Sequence, residues 1–324
     1  MKKRLCMLNK TPLDALSLRV IEGLSSQPKT LPSDYFYDDE GSRLFQRIMD
    51  LPGYYLSRAE RDILVGQSEA LLACLSPDAL PFDLIELGSG DGSKTLALCR
   101  AFDSLGASFV YRPVDISGHA IGNLCRAFEQ SKVNIPVIPE VDDYFSGWKP
   151  SEPGRRQIVM FMGSNLGNLG EAEALSFLKK IRAKLRAGDG LLLGLDLMKN
   201  PHTVLAAYND PEGVTAAFNL NLLHRLNREL GFDFQLDRFS HYASYSPLDG
   251  AARSFLVSQV DQHVSSPSLD LSWHLEQGET IYTEQSQKYS RAMIERMAAE
   301  SQFVPAQHFT DAQGLFCLSH WRVA

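Results

Sequence analysis

The stretch I-E-L-G-S-G-D-G-S-K, Ile85 to Lys94, decides how the rest of the chain is read. A largely apolar run from Phe82 to Leu87 meets glycines at every second position: Gly88, Gly90 and Gly92. A helix-compatible run, Lys94 to Ala101, follows. The pattern predicts a strand, a tight turn and a helix, the unit that holds nucleotide-like cofactors. Glycine is needed where backbone turns sharply or approaches a ligand with no Cβ in the way. A dinucleotide loop reads G-x-G-x-x-G and cradles a pyrophosphate on a helix N-terminus. This loop reads G-x-G-x-G, with Glu86 just before it and Asp91 inside it. Carboxylates repel a pyrophosphate and suit a cationic, phosphate-free ligand. The competing reading is a glycine-rich turn that holds no cofactor, or NAD.

A second signal narrows the choice. Phe109 to Val114 is another apolar run and ends in Asp115, 25 residues after Gly90. A carboxylate at that place accepts the two ribose hydroxyls of an adenosyl group. Together these residues resemble the first motifs of the S-adenosylmethionine (SAM) methyltransferases.

The chain has 324 residues, 44% apolar and 22% charged, enough for two domains, or one domain with a large insertion, and for a large core. A net charge of −7 argues against a nucleic-acid partner, which selects a basic face. Five cysteines (Cys6, Cys74, Cys99, Cys125 and Cys317) are widely spaced with no C-x-x-C, as in a reducing compartment. The eight histidines form no H-x-x-x-H pair, so no metal site is expected. The start M-K-K-R-L-C-M-L is broken by Asn9 and Lys10, too soon for a signal-peptide core, and no run is long enough to span a membrane. The expectation is a cytoplasmic monomer acting on a small molecule, with no nucleic-acid or membrane partner.

Leu44, Phe45, Ile48 and Met49 share one helical face, and Pro52 ends that helix. A second helix is expected from Ser57 to about Cys74. Strands are expected at 82–87, 109–114, 135–141, 157–162 and 190–197, with helical patterns between most of them, which is a doubly wound α/β sheet. Gly88, Asp115, Asp143 and Gly163 fall at or just past strand ends, where such sheets bind ligands. After Met198 the rhythm breaks. Two helices are expected in 199–231, with Val214, Ala217, Phe218, Leu222, Leu226 and Leu230 as the apolar stripe, and strands in 232–287. A helix at 288–301 and strands at 303–309 and 314–323, joined by D-A-Q-G, close the chain as a hairpin. The expected fold class is α/β, and the closing hairpin resembles the class I SAM-methyltransferase fold: a Rossmann-like doubly wound sheet with a terminal antiparallel hairpin, plus a second α+β domain. Residues 62–198 and 288–324 are expected to bind the cofactor, and 1–61 and 199–287 the substrate.

Longer motifs make the resemblance specific. Y-F-Y-D-D-E-G-S-R-L-F (35–45), L-P-G-Y-Y (51–55), F-M-G-S-N-L-G-N (161–168), L-L-L-G-L-D-L-M-K (191–199), A-Y-N-D-P-E-G-V-T-A-A-F-N (207–219) and Y-T-E-Q-S-Q-K-Y (282–289) are similar to the histidine Nα-methyltransferases. These make hercynine, the trimethyl betaine of histidine, in ergothioneine biosynthesis. The resemblance covers roughly residues 30–323. It implies that Gly88, Lys94, Asp115, Asp143 and Tyr144 hold SAM, which leaves as S-adenosylhomocysteine. It further implies that Tyr54, Asn168 and Tyr208 hold the amino acid, and that Glu284 and Ser286 face its side chain. Gly163 would let backbone approach the transfer site, and Tyr37 would sit near the amine. Taken singly, the tyrosines read as packing residues, Asn168 as a turn residue, Glu284 as a solvated charge and Lys94 as an ordinary first-turn residue. Their joint placement in matching motifs reverses those readings.

SN2 methyl transfer needs positioning more than any other device. The amine must be neutral, and a nearby sulfonium lowers its pKa. Asn168 can accept from the amine and donate to the carboxylate. One position departs from the pattern. Where histidine-specific members carry an apolar methionine in a motif like E-M-W-L, this chain reads R-S-F-L (253–256), with Ser254 in its place. That leaves more room or a different polarity beside the ring, so another aromatic amino acid or a histidine derivative is the alternative substrate. A non-catalytic SAM-binding regulator is the alternative of another class; it would have no use for an amino-acid clamp.

Overall fold

Every residue of Phe82–Leu87 is buried, as a strand with parallel neighbours on both edges and helices on both faces requires. The computed structural model describes residues 15–323 except Pro153, so the readings made on Met1–Arg4 and Cys6 lie outside the described residues. In chain order the elements begin with α1 (Ala15–Ser25), β1 (Lys29–Thr30), α2 (Asp39–Asp50), α3 (Leu56–Gly66) and α4 (Ser68–Leu75). Then follow β2 (Phe82–Leu87), α5 (Ser93–Ser104), β3 (Phe109–Asp115), α6 (Gly118–Ser131), β4 (Glu140–Val141), β5 (Arg156–Phe161), α7 (Glu171–Lys184) and β6 (Gly190–Asp196). The later elements are α8 (Pro201–Tyr208), α9 (Val214–Leu230), β7 (Phe239–Tyr245), β8 (Ala251–Ser258), β9 (Gln262–Ser266), β10 (Leu271–Leu275) and β11 (Thr280–Gln287). The chain ends with α10 (Arg291–Glu300), β12 (Val304–Thr310) and β13 (Phe316–Arg322).

The chain forms two compact units. The larger comprises Pro52–Val204, Tyr245–Ala252 and Gln285–Ala324; the smaller comprises the residues up to Leu51 with Leu205–Ser244 and Arg253–Glu284. The larger unit holds a seven-stranded sheet in the order β12-β13-β6-β5-β2-β3-β4. β4, β3, β2, β5 and β6 are mutually parallel, while β13 runs antiparallel to both β6 and β12. This is the class I methyltransferase arrangement, terminal hairpin included. The strand order reverses at β2, so the ligand crevice lies beyond the carboxyl ends of β2 and its neighbours. One face of the sheet packs Ile85, Val159, Leu191, Leu193 and Trp321 against Phe177 and Leu178 of α7 and Ile294 of α10.

Two expected elements differ. Of the strand expected at 135–141 only Glu140–Val141 pairs regularly, with an isolated bridge from Val137 to Tyr111. Pro136 and Pro139 lack the N–H that a ladder needs. The helix expected from Ser57 to Cys74 is two helices, broken where Gly66 ends α3 and Gln67 leaves the helical region.

In the smaller unit β1-β11-β8-β7 form a sheet and β9-β10 a hairpin. Val214, Phe218, Leu222 and Leu226 of α9 are buried, and Phe36 stacks on Phe218 with ring centroids 4.5 Å apart. Ala217, expected in that stripe, is exposed, and Leu230 is half-buried. Asn219 and Asn221 are buried instead, each amide paired: Asn219 accepts from Thr283 Oγ1 at 2.9 Å and Asn221 donates to Asp38 at 2.8 Å. Asp210 starts α9 by accepting from the N–H groups of Val214 and Thr215, both at 2.8 Å.

Candidate active site

The turn after β2 is shaped by backbone. Gly88 has φ +69°, and a Cβ there would lie 3.4 Å from the Tyr144 ring. Asp115 ends β3 with both carboxylate oxygens aimed: one accepts from Gly90 N–H at 3.0 Å, the other from Ser117 N–H at 2.9 Å. Asp143, just past β4, accepts from Phe145 N–H at 2.9 Å and so fixes the turn that carries Tyr144. The Tyr144 ring packs on Phe145, Phe161 and Phe177. Gly88, Asp115, Asp143 and Tyr144 thus occupy one sheet edge, and Gly163, two residues past β5, shares it.

This edge fits SAM. Its charges are chiefly carboxylates, which suit ribose hydroxyls and a sulfonium and oppose a pyrophosphate. The hydroxyl of Ser89, within the glycine turn, is buried with no hydrogen-bond partner in the protein, as a group awaiting a ligand would be. Beneath the turn, Glu86 is buried, accepting from Thr95 Oγ1 at 2.8 Å and from the Tyr111 hydroxyl. Burial pushes its carboxyl up to about 7.

A carboxylate absent from the sequence reading ties the edge together. Glu60, on α3, is fully buried; one oxygen accepts from Gly163 N–H at 2.7 Å and the other from the Lys94 ammonium. Burial opposes the Lys94 charge, but the adjacent Glu60 outweighs it and raises the Lys94 pKa. A Cβ at Gly194 would run into Glu60 Oε1, so β6 leaves space for this brace. Gly163 has φ +70°, a conformation that glycine alone adopts freely. A signal for Glu60 existed: it sits within the buried stripe Leu56, Ala59, Ile63 and Leu64 of α3.

Asn168 ends a 3₁₀ turn, Asn165–Asn168. That turn packs on the end of β11: Gln285 donates to Leu169 O at 2.7 Å, and a Cβ at Gly167 would meet Gln287 backbone within 2.7 Å. Asn168 and Ser286 are thereby neighbours in one structural corner. Tyr54 is buried beside Tyr55, whose hydroxyl donates to Asp196 at 2.8 Å. Asp196 ends β6, fully buried, and also takes the ammonium groups of Lys199 and Lys288, the latter at 3.0 Å. Lys288 is itself fully buried and donates to Ser286 Oγ at 2.7 Å. Burial, helped by the charge of Lys288, lowers the Lys199 pKa. The sequence reading missed Asp196, Lys199 and Lys288, although an acid closing an all-apolar strand was visible.

In the smaller unit Tyr37 is 47% exposed, its ring edge-on to Phe45 and Phe218. Tyr208 is the half-buried last residue of α8. Glu284 is half-buried on β11. Ser254 is buried, with its hydroxyl 3.2 Å from His241 Nε2, and burial drives the His241 pKa down to about 4. Ser254 and Glu284 lie on opposite faces. Phe255 and Tyr282 meet ring to ring across β8 and β11, and alternation puts Glu284 on their side and Ser254 with Thr283 on the other, towards α9.

Among the described residues no cluster of three or more His, Cys, Asp or Glu side chains is placed to hold a metal ion, and no helix is long and apolar enough to cross a membrane. The magnesium protoporphyrin IX methyltransferase of Synechocystis PCC 6803, a solved structure, aligns with 90% of this chain and 98% of its own, at 12% identity and a TM-score of 0.48. The histidine N-alpha-methyltransferase of Mycolicibacterium smegmatis is 35% identical over 306 residues, 94% of each chain. The enzyme of the same name from Mycobacterium tuberculosis is 34% identical over 305 residues, again 94% of each. The model of the histidine-specific, SAM-dependent methyltransferases matches residues 16–323. With the fold, the carboxylate-lined edge and this end-to-end match in agreement, the chain belongs to the family of histidine-specific, SAM-dependent methyltransferases.

Proposed function

We propose that this protein methylates the α-amine of L-histidine with SAM, by successive SN2 transfers up to the trimethyl betaine hercynine. One observation carries the reading: relatives named for this activity match over 94% of both chains. Tyr54, Asn168, Tyr208 and Glu284 of this chain stand in the stretches that resemble the family. SAM supplies the electrophilic methyl group. The larger unit contributes Asp115 for the ribose, Asp143 and Tyr144 for the adenine, and Gly88 and Lys94 for the remainder of the cofactor. Gly163, braced by Glu60, offers backbone at the transfer site. Tyr54 and Asn168, also of the larger unit, and Tyr208 of the smaller hold the amino acid, with Tyr37 near the amine. Asn168 accepts from the neutral amine and donates to the carboxylate. Glu284 accepts an imidazole N–H, and Ser286 takes the other ring nitrogen. The cofactor role falls to 62–198 and 288–324 and the substrate role mainly to 1–61 and 199–287.

The protein is taken to act as a cytoplasmic monomer without nucleic-acid or membrane partners. The net charge of −7 and the free thiols of Cys74, Cys99, Cys125 and Cys317 support that setting. A second reading keeps the chemistry and changes the ring to that of another aromatic amino acid or a histidine derivative. The departure at Ser254 raises it, although Ser254 bonds His241 on the face of β8 turned away from Glu284 and so bears on the ring only through its neighbours. A panel of the twenty amino acids with SAM, read by mass spectrometry, decides between them. Histidine is expected to be methylated fastest and phenylalanine hardly at all, because Glu284 would be left without its N–H partner. Inert histidine beside a methylated tryptophan or tyrosine would establish the second reading.

A further inference from the structure

Asp143 and Tyr144 sit in a loop, 142–148, whose two ends are fastened by buried side chains. At its start Glu140 pairs with Val114 in the ladder of β4 with β3, and Asp142 N–H donates to Asp115 O at 3.1 Å. Just past its end stands Lys149, an exposed residue whose two backbone groups are nevertheless both taken. Its N–H donates to Glu140 Oε2 at 3.1 Å, and its carbonyl accepts from Arg112 Nη2 at 2.7 Å. Arg112 donates as well to the other Glu140 oxygen, to Asp83 at 3.1 Å and to the Ser151 hydroxyl at 3.2 Å. Glu140 thus stands at the beginning of the loop and holds its end, and Arg112 closes the ring. Arg112, Glu140 and Asp83 are all buried. A buried guanidinium between two carboxylates is costly to desolvate, and apolar residues would bind the strands together at least as well. What the charged pair adds is direction: it grips the backbone at one point. Trp148, next to that point, is also buried and donates its indole N–H to Gln157 at 3.1 Å. Inside the loop, Ser146 N–H donates to Asp143 O at 2.8 Å and Gly147 N–H to Tyr144 O at 3.1 Å. A loop so tightly turned, with both ends held, has little freedom left to lose when a ligand arrives.

We propose that Glu140 and Arg112 are positioning residues that clamp loop 142–148 at its base, so that Asp143 and Tyr144 are preset for the adenine base of SAM. The clamp governs recognition of the base and takes no part in methyl transfer. This rests on the reading of Asp143 and Tyr144 as the adenine contacts, and it adds the residues that hold them in place. The Asp143 carboxylate can accept from the exocyclic amino group of adenine. Hypoxanthine carries a carbonyl oxygen there, which would meet the carboxylate acceptor to acceptor.

The test compares S-adenosylhomocysteine with S-inosylhomocysteine, which differ only in that amino group. Dissociation constants for both are measured by calorimetry, and their ratio isolates the base from the rest of the ligand. The wild type should favour the adenosyl compound by about tenfold or more. In Glu140→Gln the amide has one acceptor oxygen for two donors, Arg112 and Lys149 N–H, so the clamp opens and the ratio should fall by about threefold or more. Glu140→Asp keeps the charge beside Arg112, and with it the fold, but is one methylene too short to reach both partners; the ratio should fall there too. Arg155→Met is the control. Arg155 bonds Asp83 on the far side of the same network and does not touch Lys149. This variant should melt lower yet keep the ratio within about twofold of the wild type, because the remaining Asp83 bonds leave the clamp closed. Folded Glu140 variants with the wild-type ratio would overturn the proposal. An equal fall in Arg155→Met would overturn it as well, since discrimination would then follow stability alone. Asp143→Ala separates the two levels. An unchanged ratio there, or a wild type that binds both compounds alike, would refute the adenine reading itself. A ratio lost in Asp143→Ala but kept in both Glu140 variants would refute only the clamp.

Discussion

Asp115 carries the cofactor assignment at the scale of a single side chain. Its two oxygens are already oriented by Gly90 and Ser117 N–H groups, so in the proposed site ribose hydroxyls would meet a preset acceptor. Asp115→Ala should weaken SAM binding at least tenfold by calorimetry, since a hydrogen bond to a charged group is worth about 1.5–3 kcal/mol; unchanged affinity in a folded variant would remove Asp115 from the site. Glu86 gives a pH signature. Burial holds its carboxyl at about 7 against an ordinary 4.5. The folded protein therefore keeps a proton that the unfolded chain has released, so stability falls as pH rises through that interval and the loss is complete above it. The buried His241 and His320, both lowered to about 4, act in the opposite sense over much of the same range. The difference between variant and wild type is thus the useful reading. The melting temperature of Glu86→Gln should gain on the wild type from about pH 5 to about pH 8; a constant difference would mean that Glu86 is not held protonated. At this scale Glu86 and Asp115 were legible because each ends or nearly ends an apolar run. Glu60 and Lys288 were not, since what they do depends on partners 34 and 92 residues away in sequence: Lys94 for Glu60 and Asp196 for Lys288.

Among elements, the ends of β2, β3, β5 and β6 carry the proposed site, and α3 contributes Glu60 to it. Gly194 on β6 tests that brace. A Cβ there would displace Glu60 Oε1 and crowd Gly163 N, which lies 3.2 Å from the Cβ position. Gly194→Ala should lower stability by about 1–3 kcal/mol through overpacking and weaken SAM binding as well, because Lys94 and Gly163 lose their common anchor. Wild-type SAM affinity in that variant would show that the brace serves stability alone. Period and punctuation made most elements legible: the strand at 82–87, the stop at Pro52 and the closing hairpin follow from local chemistry. Where the reading failed, backbone chemistry overrode the apolar pattern. Pro136 and Pro139 limit β4 to two residues, and Gly66 splits a helix whose apolar face continues into α4. The position of Ser254 behind its strand was not legible, because face depends on register, and a one-residue step reverses it.

For the whole molecule, the larger unit follows from the alternation of strands and helices up to Met198, and the smaller from the loss of that rhythm afterwards. The boundaries are less regular than composition suggests: Tyr54 and Ser286 belong to the larger unit, Tyr208, Ser254 and Glu284 to the smaller. Chain segments distant in sequence join each unit, which a linear reading locates only through motifs. The functional claim rests on the family and on the carboxylate-lined edge together, and it names one atom as the methyl acceptor, the α-nitrogen of histidine. Incubation of the purified protein with histidine and methyl-labelled SAM, followed by fragmentation mass spectrometry of the product, locates the label directly. The account predicts one to three labelled methyl groups, all on the α-nitrogen, with an unmodified ring. Label on an imidazole nitrogen, or histidine recovered unchanged from an enzyme that binds SAM, would contradict it.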